Sequence, residues 1–119
     1  KLELVQMPAN LGLGAAQNAG IQRARTVGAS HVLILDQDSQ PMPDMVHHLL
    51  AASNHFQAAG MRVAAVAPVY EDRSTGTHSG FVRLGWFDYK KQFVTPEQGP
   101  VEADFVISSG SLIPMRALN

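Results

Sequence analysis

The sequence contains no cysteine in 119 residues. That excludes disulfides and every metal site built on thiolates. It also lacks an excess of either charge: 9 Lys and Arg stand against 10 Asp and Glu, a net charge of −1. Net charge therefore demands neither nucleic acid nor anionic lipid as a partner. No apolar run approaches the roughly 20 residues that cross a bilayer, and KLELVQM at the start is not a signal peptide. What remains is a globular composition, 45% hydrophobic and 16% charged. The length suits one domain or part of a larger one, and a cytoplasmic setting is the default expectation.

The chain opens on Lys1 and stops shortly after Pro114, which is expected to open a helix. A helix that short without a C-cap predicts a piece of a longer protein. Between the ends the hydrophobic period switches repeatedly. Residues 2–7 (LELVQM) alternate like a strand, and PANLG at 8–12 is turn chemistry. Residues 14–27 read as an alanine-rich helix with Ile21, Ala24 and Val27 on one side, Arg23 and Arg25 as surface charges, and Gly28 as the stop. HVLIL at 31–35 is a continuous apolar strand, as when both faces are covered. Residues 43–59 form a second helix with Met45, Val46, Leu49, Leu50, Ser53 and Phe56 inward. Strands follow at 63–69 (VAAVAPV) and 103–109 (ADFVISS), with irregular structure or a hairpin at 71–100. This order predicts an α/β fold: a mostly parallel sheet with flanking helices.

In such folds ligands sit beyond the carboxyl ends of the strands. Asp36 and Asp38 of ILDQDSQ fall at one such end, and Ser108, Ser109 and Gly110 at another. Two like charges this close are costly unless a cation or a reaction uses them. Oxygen ligands suit a hard cation, Mg2+ or Mn2+, which takes one or two carboxylates and completes its shell with phosphate oxygens. The structural alternative is that Asp36 caps the strand and Asp38 starts a turn with Ser39 and Pro41. The position after VLIL favours a ligand role.

The segment NLGLGAAQNAGIQRA (10–24) carries Asn-x-Gly, then Ala, then Asn-x-Gly-Ile, with HVLILDQDS close behind. This closely resembles the inverting family 2 glycosyltransferases of the GT-A (Rossmann-like) fold. LDQDS looks most like their bacterial rhamnosyltransferase branch, and SSGSLI (108–113) is similar to the family's acceptor-side segment. The resemblance implies that residues 1–119 are the central part of a single GT-A domain. The first βα unit would lie before Lys1, and the general base that takes the acceptor proton would lie beyond Asn119. The 119 residues alone would then be inactive. It also implies roles. Asp36 would contact the nucleotide ribose, and Asp38, with Asp36, would hold the divalent metal on the donor diphosphate. Asn10, Gly12 and Asn18 would line the nucleotide pocket, and Ser109 and Gly110 would face the acceptor. Gln17 stands where many relatives have a basic residue, which puts a phosphate contact there in doubt. The implied partners are a nucleotide-sugar donor (dTDP-rhamnose or a UDP-sugar) and a glycan or lipid-linked acceptor for a surface polysaccharide, at the inner face of the cytoplasmic membrane. No nucleic acid is expected. Truncation would expose strand edges, and a non-native homodimer through them is the hazard that follows.

Other patterns are weaker. Gln17 occupies the third place of G-x-G-x-x-G, against a dinucleotide site. His47, His48 and His55 diverge around a helix and read as a solvated face. Trp86, Phe87 and Tyr89 read as hairpin packing rather than a sugar platform. No Gly-x-Ser-x-Gly elbow surrounds Ser108 and Ser109. Two alternatives remain. ILDQDS also resembles the motif of haloacid-dehalogenase phosphatases, in which Asp36 would be the nucleophile and Asp38 the acid/base. A preceding strand and helix, and the lack of a later Asp pair, count against it. The other is an inactive nucleotide-sugar-binding scaffold that keeps the Asp pair.

Overall fold

A computed structural model of the protein describes residues 2–72, 74–95 and 98–118. Lys1 and Asn119, where missing parts are expected to join, lie outside the described residues. In chain order the elements are α1 (Leu13–Thr26), β1 (His31–Leu33), α2 (Met45–Ala58), β2 (Glu71–Asp72), β3 (Thr77–His78), β4 (Phe81–Leu84), β5 (Tyr89–Gln92), β6 (Leu112–Pro114) and a 3-10 turn at Met115–Leu118.

Both helices form where apolar residues recur at helical spacing. α1 half-buries Ala15, Ala19, Ile21 and Ala24. It stops where Gly28, at φ 73°, turns its N–H back to the Arg25 carbonyl at 3.1 Å. No residue of α1 is buried, so polar ties help to hold it. Arg25 Nη2 donates to the Leu118 carbonyl at 3.0 Å. Arg23 grips Glu3 through two hydrogen bonds, one of them Nη2 to Oε2 at 3.0 Å. That hydrogen bonding holds the Glu3 carboxyl below the usual carboxylate value and raises Arg23. Both arginines stay exposed, as expected, yet each anchors α1 to another segment.

α2 packs on β6 and buries Leu49 and Ser53. Met45, Leu50 and Phe56 are half-buried, whereas Val46, expected inward, is exposed. The buried Ser53 hydroxyl accepts from Gln57 Nε2 at 2.7 Å, so its polarity is satisfied. Gln57 Oε1 in turn accepts from Arg116 Nη1 at 3.0 Å, joining α2 to the 3-10 turn.

β6 is the middle strand of the main sheet. Its pairing with β1 is antiparallel, His31 opposite Pro114 and Leu33 opposite Leu112. Leu112 gives both its backbone groups to Val66, at 2.9 and 2.8 Å, while the Ser111 carbonyl accepts from Ile34 at 3.0 Å. Successive residues of a strand bond to opposite sides, so β1 and the segment around Val66 flank β6. Both are antiparallel to β6 and therefore run parallel to each other. This corrects the expected mostly parallel sheet. The crossover through α2 does return the chain in the direction of β1, but one strand away. β6 fills the slot from the opposite direction, so every pairing among the described strands is antiparallel.

Three expected strands are also corrected. Residues 2–7 form no ladder among the described residues. Residues 63–69 reduce to the single bridge of Val66. Pro68 has no N–H to give, and its ring packs on Gly110. Residues 103–109 leave the main sheet: Asp104 N–H donates to the Val82 carbonyl at 3.0 Å, and Phe105 bridges Val82. The last main-sheet strand is displaced to Leu112–Pro114; Pro114 closes it, and the helix expected there is the 3-10 turn Met115–Leu118 that follows at once.

Residues 71–95 hold two hairpins, β2 with β3 and β4 with β5. In the first, the Asp72 carboxylate accepts from the Ser74 hydroxyl at 2.6 Å and from the Ser74 N–H at 2.8 Å. These bonds hold its carboxyl below the usual value. The charged form is the one favoured in the fold. This contribution is therefore present above the ordinary Asp range and is lost as pH falls through the lowered folded value. NMR titration is expected to place the Asp72 midpoint below that of a free Asp, and Ser74→Ala to move it back up.

Candidate functional site

β1 carries the chain out of the sheet at Ile34, and residues 36–39 turn over at its carboxyl end. The Ser39 N–H donates to the Asp36 carbonyl at 3.2 Å, which closes the turn. Ser109 reaches across from the segment before β6. Its hydroxyl accepts the Asp36 N–H at 3.1 Å and shares a 2.7 Å hydrogen bond with the Ser39 hydroxyl. Gly110 N–H donates to the Ile34 carbonyl at 2.7 Å. The turn at Asp36 and the Ser109–Gly110 segment are thus bonded together directly, although Ser109 and Gly110 lie just before β6 and not at the carboxyl end of a strand as expected.

Gly110 makes this join possible. It is buried with φ at 80°, a conformation L side chains rarely adopt. A Cβ there would stand 3.0 Å from Pro68 Cγ. Just beyond, the Ser111 hydroxyl is buried and donates to the Ile107 carbonyl. This pins the loop that presents Ser109.

Asp36 and Asp38 are both exposed, and neither carboxylate accepts a hydrogen bond among the described residues. Their oxygens are therefore available to a ligand. No group of three or more His, Asp or Glu gathers among the described residues to cage a metal. The donor set is a carboxylate pair alone, which fits a hard cation that takes its remaining oxygens from phosphate and water. His47 and His48 meet edge to face at 5.8 Å on the exposed side of α2, as a solvated face does.

Asn10 and Gly12 form a separate turn, Asn10 Oδ1 accepting the Gly12 N–H at 3.1 Å. That turn opens α1, and Asn18 lies on the helix, exposed, six residues further along. No hydrogen bond among the described residues links it to the turn at 36–39. An open groove of about 880 Å³ lies between the first turns of α2 (Met45, His48, Leu49) and residues 66–68, and neither Asp36, Asp38 nor Ser109 lines it.

The residue that sequence reasoning undervalued is Ser39. It was legible only as part of a turn, while its partner lies 70 positions away. Ser109→Ala would leave the Asp36 N–H without its acceptor and the Ser39 hydroxyl without its partner. It is expected to lower stability by about 1 kcal/mol in urea unfolding, with the helical circular dichroism retained.

The family model described as glycosyl transferase family 2 matches residues 1–119. The dTDP-rhamnosyl transferase RfbF of Shigella flexneri is 26% identical over 114 residues, covering 95% of this chain and 37% of that protein. This chain thus spans little more than a third of that relative's length. No solved structure matches it.

Proposed function

This chain belongs to glycosyl transferase family 2, and from that premise we propose that it holds the donor for a metal-dependent, inverting sugar transfer. The proposed donor is dTDP-L-rhamnose, and the acceptor a glycan or lipid-linked glycan. One observation carries this: two carboxylates without a partner among the described residues, Asp36 and Asp38, stand on a turn fixed to Ser109 at the carboxyl end of β1. The similarity to a dTDP-rhamnosyl transferase supports the choice of donor.

Each residue then has a task. Asp38 would hold Mg2+ or Mn2+ on the donor diphosphate, and Asp36 would hold the metal or the ribose. When bound, the metal would act as a Lewis acid on the leaving diphosphate. Ser109 and Ser39 keep the Asp36 backbone in place, so the carboxylates meet the donor without reorganisation. Asn10 and Gly12 form the turn that opens α1, and Asn18 lies on that helix. Asn10, Gly12 and Asn18 would line the nucleotide from there. Gly110 shapes the acceptor side by letting the backbone pass close to Pro68. The family match favours transfer over the haloacid-dehalogenase alternative.

Full-length protein incubated with dTDP-rhamnose and Mn2+ is expected to release dTDP, faster when a suitable acceptor is present, and to release far less from UDP-sugars. Trapping of a phosphate on Asp36 would instead return the site to phosphatase chemistry. Nucleotide binding without turnover on any acceptor would favour an inactive scaffold.

A further inference from the structure

The β4–β5 hairpin ends in a four-residue loop, 85–88, closed by the Gly85 N–H donating to the Asp88 carbonyl at 2.7 Å. Its two central residues are Trp86, 97% exposed, and Phe87, 101% exposed. Leu84 and Tyr89, the last paired residues below the loop, are also exposed. The one acid of the loop, Asp88, folds over Gly85, where a Cβ would collide with its carboxylate. Lys90 and Lys91 follow on β5, whose residues are all exposed. Lys91 Nζ lies 5.3 Å from the Phe93 ring centre. The charge of Arg83 is taken up by Glu102 and Asp104. Neither lysine forms an ion pair among the described residues. A near-neutral chain thus carries a local patch of aromatic rings and unpaired positive charge.

Size and shape decide what such a patch fits. Two aromatic rings can bury roughly 300–500 Å² together. That is short of the roughly 600 Å² that each side of even a small stable protein interface buries, which argues against a second copy as the occupant. The tip is convex, whereas a small-molecule site is concave. A bilayer needs neither a reciprocal groove nor a large area. Its interface favours Trp and other aromatic rings, and anionic headgroups attract neighbouring lysines. We propose that this tip docks the protein on an anionic lipid bilayer, with Trp86 and Phe87 entering the headgroup region and Lys90 and Lys91 facing the lipid charge. The proposal does not depend on the donor site at Asp36 and Asp38.

The test is flotation of the full-length protein with vesicles of phosphatidylcholine alone or mixed with phosphatidylglycerol. Trp86 emission is followed as the difference from a Trp86→Phe variant. Binding is expected only with phosphatidylglycerol, with a blue shift of Trp86 and quenching by brominated lipid. Lys90→Gln with Lys91→Gln is expected to weaken binding roughly thirtyfold, and Trp86→Ser with Phe87→Ser at least about tenfold. These side chains are exposed, so circular dichroism should not change. Unchanged binding in both variants, or a Trp86 unquenched by brominated lipid, would overturn the proposal. So would a blue shift that follows protein concentration without vesicles, which would mark self-association, or one that follows added glycan.

Discussion

Asp38→Ala is expected to slow sugar transfer on the order of 10²- to 10³-fold. A metal on the leaving diphosphate supplies several kcal/mol of transition-state charge stabilisation, and each 1.36 kcal/mol is about tenfold in rate. The exposed Asp38 carboxylate has no hydrogen-bond partner among the described residues to lose, so its removal should leave the fold intact. The loss should appear in the rate at saturating donor and in the donor KM, and excess Mn2+ should recover little of it. Asp36→Ala should do less if its contact is to the ribose, and as much if it shares the metal. Initial rates with dTDP-rhamnose for the two variants, at several Mn2+ concentrations, separate these roles. Equal rates for wild type and Asp38→Ala would remove the metal from Asp38.

Gly110→Val is expected to give the largest loss of stability, roughly 2–5 kcal/mol. Part is the left-handed backbone at φ 80°, worth about 1–2 kcal/mol for a residue with a Cβ. The remainder is crowding against Pro68, whose Cγ would lie 3.0 Å from the new Cβ and which costs about 1–3 kcal/mol when a packed site is overfilled. Against a typical domain stability of about 5–15 kcal/mol this is severe. Pro68→Ala in the same chain should recover the crowding but not the backbone strain. The double variant should therefore fall between wild type and Gly110→Val in urea unfolding. Because Gly110 N–H also holds Ile34, nucleotide binding should weaken along with stability. An unfolding midpoint unchanged by Gly110→Val would mean that residue 110 does not adopt this conformation.

Local pattern carried much of this structure, and long-range pairing carried the rest. The helices were legible because their apolar residues recur at helical spacing. HVLIL was legible as a strand because it is apolar throughout, although only His31–Leu33 pair as a strand. The last strand was misplaced for a physical reason. ADFVISS has a β-prone apolar centre at 105–107, but Asp104 and Phe105 bond to Val82 of the aromatic hairpin. SLIP, with its proline, looks like a helix start, yet Leu112 sits between Leu33 and Val66. Which segment fills the middle of a sheet depends on partners far along the chain, and a single sequence does not reveal them. The same holds at the site. The Asp pair and Ser109 stood out as residue types at strand ends, while the bond from Ser109 to Ser39 did not. The even net charge hid the lysines at the hairpin, and its turn residues showed a loop without showing that Trp86 and Phe87 would stand clear of the core.

The most direct measurement is calorimetric titration of the full-length protein with dTDP and with UDP, each with and without Mn2+, beside Asp38→Ala. A family 2 donor site at Asp36 and Asp38 predicts dTDP binding that requires Mn2+, is weaker for UDP and is lost in Asp38→Ala. The absence of nucleotide binding under every condition, or equal binding by Asp38→Ala, would contradict it.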